Sequence, residues 1–462
     1  WYGGSTGVTH LTATGPFMYK SIQTAINAAS GGETILVAPG TYNEKVEINK
    51  ANITLKSEGG SDATIIDVPE GSLTSGIKVI GTNLGVITVD GFTVKDFTEN
   101  GIVQGMGSHT GTTVHVINNK IYPAGNYLRN GIQVSGDNST VIGNFVKGAP
   151  LTPDWGSTGI HVVNASNTLV ENNTISGEAL GVDTAIGVTN YQATSNVTGN
   201  VVRNNVVIKA DYAFGATTFF AADKIDGVSI EKNQILDSTY GIYKYIVASG
   251  GTISNVDGSP NWWGTIAGPS DGTIDDGIPY SPWCGDAACT FLVSKDSNGY
   301  LTLEDGVTAA QIQSALDTVP EGTTIVIPAG TYSKAGGLTI STPHTTIILQ
   351  DGAVISNESP CFVVNANYTT IKSETIGGGK CVPTNNSNGI DVNSGLVNVV
   401  IDGLEIDGAT GTDGIHFAGA VTDVLLDNNY IHNLQSDGIK FTVAPAGFVE
   451  IQGNLIRDNG GY

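Results

Sequence analysis

The second half of the chain contains three residues of the types used in acid–base chemistry, at a nearly constant spacing. Asp391, His416 and Lys440 each follow a Gly-Ile pair, and Asp413 and Asp437 directly precede the glycines of the last two pairs. If the pairs occupy equivalent strands of a stack, in which strands are about 4.8 Å apart, the three side chains line up within roughly 10 Å. A carboxylate, an imidazole and an ammonium group so placed could cleave a glycosidic bond or remove a proton beside a sugar carboxylate.

The Gly-Ile pairs belong to a repeat that also runs through the first half of the chain. Alternation along a strand places the isoleucine inward and the following residue outward. In the first half the outward positions are Lys78, Val103, Gln133, His161, Gly187 and Tyr243. Because this column contains no carboxylate, we expect a solvated face or weak contacts with carbohydrate rather than an acid–base pair.

A second column of the repeat consists of asparagines that end short runs of β-branched residues. Their spacing of 25 to 32 residues, with strand-like content, indicates a solenoid of parallel strands in which equivalent residues stack. The alternative is that these asparagines are ordinary turn residues, but both columns keep the same phase. We therefore predict a structural ladder of inward asparagines at Asn119, Asn144, Asn173, Asn205, Asn233, Asn429 and Asn454.

Two segments with helical spacing of apolar residues precede the two sets of repeats. Tyr19–Ile48 and Thr308–Tyr332 each begin with such a segment and continue through a strand to a turn ending in Gly-Thr-Tyr. Because the ends of a solenoid need covering, we interpret these segments as short capping helices. The predicted fold is all-β, with two tandem right-handed parallel β-helices, at residues 1–290 and 291–462, each opened by a short α-helix.

The chain resembles the right-handed parallel β-helix proteins of the pectin-lyase-like superfamily in the V-x-P-G-T-Y-x-E-x-V-x-I pattern after the first helix. The segment Ser259–Gly272, with its N-W-W-G pattern, resembles the closing segment of β-helix modules in extracellular proteins. This resemblance implies that Trp262, Trp263 and Trp283 cover the last turn of the first module. The alternative is that these tryptophans form a platform for stacking sugars.

Enzymes of this superfamily act on polysaccharides in a shallow groove on one parallel sheet, so the resemblance implies a place for an active site. Thr412–Gly414 resembles part of the N-T-D-G motif of polygalacturonase-type hydrolases. Their G-H-G and R-I-K motifs are missing, as are the signatures of pectate lyases and pectin methylesterases. The resemblance therefore predicts the fold more firmly than an activity.

Composition limits the partners of the chain. With 43 acidic against 20 basic residues and a net charge of −23, the chain lacks the clustered cations that nucleic acid or an anionic membrane would require. No apolar stretch is long enough for a transmembrane helix. The chain opens on Trp1 without a leader, as expected after removal of a secretory signal, although a sequence boundary gives the same appearance.

The cysteines fall into two local pairs, for which disulfides in an extracellular protein or at a cell surface are a better interpretation than metal binding. The pairs are Cys284 with Cys289 and Cys361 with Cys381. Glycosylation sequons, several of them expected by chance, occur at Asn52, Asn138, Asn164, Asn172, Asn196, Asn357, Asn367 and Asn385. Although no cofactor is predicted, a crowd of carboxylates in the closing segment could bind Ca²⁺, at Asp271, Asp275, Asp276 and Asp286.

Three classes of function remain open. The first is an extracellular structural or adhesive rod, supported by the duplicated modules and the weakly charged surface. Because the second module shows no closing segment, we also expect end-to-end self-association into a fibre. The second class is a polysaccharide lyase, hydrolase or epimerase using the five acid–base residues of the second module. A third is a tailspike-like module that binds carbohydrate.

Overall fold

The computed structural model describes residues 7–12, 15–71, 74–105, 111–124, 129–148, 157–177, 182–191, 196–270, 272–357, 359–408 and 410–460. The chain forms two compact units. The first unit consists of residues 1–264 and 269–280, and the second of residues 265–268 and 281–462. None of the described helices is long and apolar enough to cross a membrane.

The described residues contain two short helices, one near the start of each unit. The first is Ile22–Ala28, where the Ser21 side chain accepts a hydrogen bond from the Thr24 amide. The second is Ala309–Thr318, where Thr308 and Gln311 form a capping box. Both helices bury their apolar residues, as expected for caps on the end of a solenoid.

The first unit contains three sheets, which we call A, B and C. The described strands of sheet A are Val8–Thr12, Gly15–Tyr19, Thr34–Val37, Thr54–Ser57, Gly85–Asp90, Thr112–Ile117, Thr140–Ile142, Leu169–Glu171, Asn196–Arg203, Lys224–Glu231 and Thr252–Asp257. Those of sheet B are Gly40–Tyr42, Thr64–Asp67, Thr93–Phe97, Lys120–Pro123, Phe145–Lys147, Thr174–Ser176, Val206–Ile208 and Gln234–Leu236. Those of sheet C are Val46–Ile48, Ser75–Val79, Asn100–Gln104, Asn130–Val134, Thr158–Val163, Thr184–Asn190, Tyr212–Thr218 and Tyr240–Ile246.

The second unit contains three further sheets, which we call D, E and F. The described strands of sheet D are Trp283–Cys284, Leu292–Lys295, Leu301–Leu303, Thr324–Ile327, Thr346–Leu349, Thr369–Ser373, Val397–Asp402, Thr422–Asp427 and Val449–Gln452. Those of sheet E are Gly330–Tyr332, Ala353–Asn357, Lys380–Pro383, Glu405–Asp407, Tyr430–His432 and Leu455–Arg457. Those of sheet F are Leu338–Ile340, Phe362–Val364, Ile390–Val392, Ile415–Phe417 and Ile439–Phe441.

Most turns of the coil contribute one strand to each of the three sheets of their unit. Consecutive turns pair in parallel, for example Thr184–Asn190 with Tyr212–Thr218. Antiparallel pairs occur at the start of each unit, around Val8–Thr12 and Leu292–Lys295. The inward isoleucines of successive turns are buried and stack along the axis. The predicted right-handed parallel β-helix is therefore confirmed.

The asparagine ladder is present and is longer than predicted. In each described turn from Asn119 onward in the first unit, the side-chain oxygen of one asparagine accepts the backbone N–H of the asparagine one turn earlier. Asn233 is not the last member, because its amide donates to the side chain of Asn261 at 2.9 Å. Asn261 begins the N-W-W-G segment. In the second unit, Asn454 accepts from Asn429 in the same way.

The closing segment is divided between the two units. Trp262 adds its backbone to sheet B beside Gln234, and Trp263 packs over Gly241 against the core of the first unit. Trp283 instead belongs to the second unit, because its strand pairs with Leu292–Lys295 and its indole N–H donates to the carbonyl of Ile266. This arrangement differs from the prediction that all three tryptophans cover the first module.

Both predicted disulfides are present, Cys284–Cys289 and Cys361–Cys381. The first lies in the second unit with Trp283, so the division between the units falls before residue 290. The second joins Cys361, directly before the sheet-F strand Phe362–Val364, to Cys381 on the sheet-E strand Lys380–Pro383, and both cysteines are buried.

Candidate functional site

The structure brings together the five acid–base residues predicted in the second unit. Asp391, His416 and Lys440 occupy paired positions on consecutive strands of sheet F. Asp413 and Asp437 lie just before two of these strands, and the Asp437 amide donates to Oδ1 of Asp413 at 3.0 Å. The spacing of the repeat therefore predicted this neighbourhood correctly, although their catalytic role stays a prediction.

Three of the five residues form an ion-pair group. The Lys440 ammonium lies 3.1 Å from Oδ2 of Asp413 and 3.6 Å from Asp437. Asp413 is buried. Burial alone would raise the pKa of its carboxyl, but hydrogen bonds from the Asp437 amide, Lys440 and Ser436 together hold the pKa below its usual value. Asp413 is therefore a structural anion and a poor proton donor.

Asp391 and His416 form a separate, partly exposed pair. Nδ1 of His416 lies 3.0 Å from Oδ1 of Asp391, which also accepts from the Asn388 side chain at 2.8 Å. A carboxylate on one ring nitrogen fixes the orientation of an imidazole. If the second unit performs acid–base chemistry, this pair is the better placed part of the predicted site.

A groove lies on the outward face of sheet C in the first unit, along the column that we expected to be a solvated face or a weak carbohydrate contact. We call it the first-unit groove. It encloses about 420 Å³, within the usual range of ligand sites. A depression of about 140 Å³ continues it along the sheet, and the two share Arg129, Asn130 and Gln133. The outward column therefore forms an elongated recess.

Two glycines make the floor of this groove. Gly187 and Gly215 are paired neighbours in the outward column, between His161 on one side and Tyr243 on the other. The Tyr243 ring covers Gly215, where a Cβ atom would lie 2.5 Å from the ring, and its hydroxyl reaches Thr184 at 3.3 Å. The missing side chain at Gly187 leaves the recess open beside His161.

A network of polar side chains fixes the groove on the side of His161. Nδ1 of His161 lies 3.0 Å from Oδ1 of Asn130, and Nε2 lies 2.8 Å from the Thr189 hydroxyl. The Asn130 amide donates to Asn100 and to Gln133, both at 3.0 Å. An amide oxygen only accepts, so Nδ1 of His161 carries the proton and Nε2 accepts from Thr189. Each of these hydrogen bonds therefore has a defined donor and acceptor, and together they fix the orientation of the His161 ring.

The walls of the groove contain residues that the column pattern missed. Asp183 lines the groove one residue before a strand, and Asp211 occupies the equivalent position on the next turn. Tyr191 and Phe219 come after the same strands and stack with ring centres 4.0 Å apart. The signal for the carboxylates is present in the sequence, because Asp183–Gly187 and Asp211–Gly215 both read Asp-x-Ala-apolar-Gly.

We expect His161 to make the first unit less stable as pH falls. Burial, with a smaller effect from Arg129, lowers the pKa of His161 to about 4, against about 6.5 in the unfolded chain. Between these values the unfolded state binds a proton that the folded state does not. The free energy of unfolding therefore falls as pH drops from 6.5 to 4, by about 3 kcal/mol in all.

Chemical denaturation at several pH values checks this expectation. His161→Gln should flatten the pH dependence in this window relative to the unmodified protein, whereas His344→Gln, at an exposed position, should leave it unchanged. Equal slopes for all three proteins would contradict the assignment of the effect to His161.

One group of side chains in the described residues has ligand atoms close enough to hold a metal ion. Glu405, Asp407 and His432 on sheet E place one such atom each within 4.8 Å of the others. Lys380 already pairs with Glu405 at 2.6 Å, and Nε2 of His432 lies 3.2 Å from the same carboxylate. The Glu405 carboxylate is therefore already paired with Lys380 and His432 in a cluster of ion pairs and hydrogen bonds.

The predicted Ca²⁺ site in the closing segment stays a prediction. Asp271 lies outside the described residues, and Asp275 and Asp276 belong to the first unit, whereas Asp286 belongs to the second. The Oδ1 atom of Asp286 accepts from the Thr290 amide at 2.8 Å.

The sequon asparagines differ in whether their side chains are exposed. Asn357 is 1% exposed and its side-chain oxygen accepts from the Lys334 amide. A glycan therefore does not fit on Asn357 in the folded chain, which corrects that part of the prediction. Exposed sequon side chains are those of Asn52, Asn138, Asn172, Asn196 and Asn385.

Comparisons with known proteins agree with the observed architecture. Residues 75–259 match a family model described as a right handed beta helix region. Comparison with curated proteins gives no match. One similar solved structure is the catalytic unit of a GH87 alpha-1,3-glucanase from Streptomyces thermodiastaticus, at 14% identity and a TM-score of 0.33. The alignment covers 95% of this chain and 65% of that one.

Two further similar structures are an alginate lyase of family PL6 and the A-module of a mannuronan C-5 epimerase from Azotobacter vinelandii. The lyase is 13% identical, with 93% of this chain and 78% of that chain covered and a TM-score of 0.26. The epimerase module is 15% identical, with 94% of both chains covered and a TM-score of 0.22. These likenesses support no statement about activity. The family match over residues 75–259 and the parallel strand registers of both units show that the chain folds as right-handed parallel β-helices.

Proposed function

We propose that the chain is an extracellular adhesive β-helix protein whose first-unit groove binds a polysaccharide. The observation that carries this proposal is the recess of about 420 Å³ over Gly187 with its extension along the sheet. An elongated recess suits a polymer, since successive turns of the coil present equivalent positions along one line. The two disulfides support an extracellular location.

The chemistry of the groove suits sugars. The Tyr191–Phe219 stack and Tyr243 offer aromatic surfaces, and the network around His161 offers oriented donors and acceptors. Sites that bind small molecules combine apolar walls with a few placed polar groups in this way. Because the side chains are held by the coil, little conformational entropy is lost when a ligand binds.

Affinity electrophoresis of the full chain in gels containing individual polysaccharides tests the proposal. We expect at least one polymer to retard the protein, and Tyr243→Ala to reduce the retardation. Tyr368→Ala, which removes an exposed aromatic ring from the second unit, is the matched control. Unchanged migration in all polymers, or equal retardation of both variants, would contradict binding in the groove.

A second candidate function is acid–base chemistry on a polysaccharide in the second unit. The observation that favours it is the Asp391–His416 pair, with its partly exposed imidazole. We expect His416→Ala to abolish any cleavage or epimerisation, and Asp391→Asn to reduce it at least tenfold. Assays of product formation from uronans and neutral glycans check this, and an unmodified protein that is inactive on both would end the idea.

End-to-end association of the chain stays a prediction. Electron microscopy and light scattering of the purified native protein test it. Filaments or a concentration-dependent mass are the expected results, and a monodisperse monomer would contradict the prediction.

A further inference from the structure

The charges on the turns that form the glycine floor of the first-unit groove disfavour an anionic ligand, whereas Lys78, Arg129 and Glu99 line the narrow extension. Among the described residues that line the wide part of the groove, Arg129 and Asp183 are the ones with charged side chains. Arg129 lies on an earlier turn than the glycine floor, and its guanidinium is 3.3 Å from the carboxylate of Glu99. His161 is neutral at pH 7, since burial lowers its pKa to about 4. The glycine floor therefore has no lining cation on its own turns.

Two carboxylates lie on the turns that form the floor. Asp183 and Asp211 precede paired strands, so they are one turn, or about 4.8 Å, apart along the coil. Asp183 lines the groove. Burial raises the pKa of its carboxyl, and the charge of Asp211 raises it further. These turns therefore disfavour the charged form of Asp183, and a further negative charge there adds to the repulsion.

We propose that the first-unit groove accepts a neutral polysaccharide and excludes polymers of sugar acids, an inference that rests on the proposed function. A sugar chain on this floor runs past Asp183, which lies four residues before Gly187 on the same turn. A carboxylate on a sugar at that end of the floor therefore meets a negative charge without a cation on the same turns. A hydroxyl in the same place meets hydroxyl, amide and imidazole groups. The ligand class is an uncharged glycan, such as a glucan, mannan, galactan or xylan.

A divalent cation that bridges the protein and the ligand would reverse this preference for neutral polymers. Ca²⁺ held between Asp183 and a ligand carboxylate would turn repulsion into attraction. The test therefore needs one arm with a chelator and one with Ca²⁺.

The sharpest experiment compares one polymer in two charge states. A neutral polymer that retards the protein is oxidised at its primary hydroxyls, which converts them into carboxylates while leaving the backbone linkages unchanged. Dissociation constants are measured for both forms at pH 7, with EDTA and separately with Ca²⁺. We expect oxidation to weaken binding at least tenfold in both arms. Equal or tighter binding of the oxidised form in either arm would overturn the proposal.

Charge variants show whether the acidic wall causes the discrimination. Asp211→Lys places a cation beside Asp183. It should therefore reduce the difference in dissociation constant between the oxidised and the neutral polymer at least threefold. Asp305→Lys makes the same change in net charge at an exposed site in the second unit, and should leave the difference unchanged. If both variants change this difference equally, the selectivity does not arise from the carboxylates beside the groove.

The outcomes separate this proposal from the proposed function. If no polysaccharide retards the protein, the proposed function fails and the selectivity fails with it. If uronans bind and neutral polymers do not, and Tyr243→Ala removes that binding, the groove keeps its function while the selectivity proposed here is wrong.

Discussion

Replacing Asn205 with alanine is expected to lower the free energy of unfolding by about 3 to 5 kcal/mol. The side-chain oxygen of Asn205 accepts both the backbone N–H and the side-chain amide of Asn173, at 2.9 and 3.0 Å. Its own amide donates to the carbonyls of Val170 and Arg203 and to the side chain of Asn233. Alanine leaves several of these buried groups without partners, at roughly 1–3 kcal/mol each.

The neighbouring residue provides a matched control. Asn204 is exposed and has a φ of 55°, a conformation that glycine adopts without strain. Asn204→Gly should therefore change stability by less than about 1 kcal/mol. Urea denaturation followed by circular dichroism measures both variants. If Asn205→Ala costs no more than Asn204→Gly, the ladder is not the stabilising element inferred here.

Replacing Gly187 with leucine is expected to abolish glycan binding while keeping the fold. A Cβ atom at this position meets Thr158, His161 and Thr184 at 3.4 to 3.7 Å, which is ordinary contact. The rest of the side chain then fills the recess that a sugar ring would occupy. We expect the dissociation constant to rise at least 100-fold, or about 2.7 kcal/mol.

Two further variants separate blocking from general damage. Gly187→Ala, which adds only the Cβ atom, should weaken binding less than leucine does. Thr41→Leu adds the same side chain at an exposed position on sheet B and should leave binding unchanged. Unimpaired binding by Gly187→Leu, with a melting temperature close to that of the unmodified protein, would place the ligand elsewhere.

The sequence predicted the outward column but not the shape that the column makes. Gly187 and Tyr243 were placed correctly on one face, because period-two alternation and the repeat fix which residues share that face. The pattern could not show that the Tyr243 ring folds over Gly215, or that Gly187 remains open. Those facts depend on rotamers and on residues outside the repeat, such as Tyr191 and Phe219.

The same distinction applies to the charged residues. The spacing of Asp391, Asp413, His416, Asp437 and Lys440 placed them together, but it assigned all five to one acid–base group. The structure divides them, because the buried Asp413 carboxylate accepts from the Asp437 amide and from Lys440, whereas Asp391 pairs with His416. Side-chain direction at a turn depends on local hydrogen bonds, which a repeat pattern does not contain.

By itself the sequence determined the coil, its parallel sheets, the capping helices, the asparagine ladder and the cysteine pairs. Each of these depends on a periodic pattern or on residues near one another in the chain. Only the tertiary structure decided that a groove exists in the first unit and that Trp283 packs in the second. Both depend on how neighbouring turns fill space, and that packing is set by contacts between residues far apart in sequence.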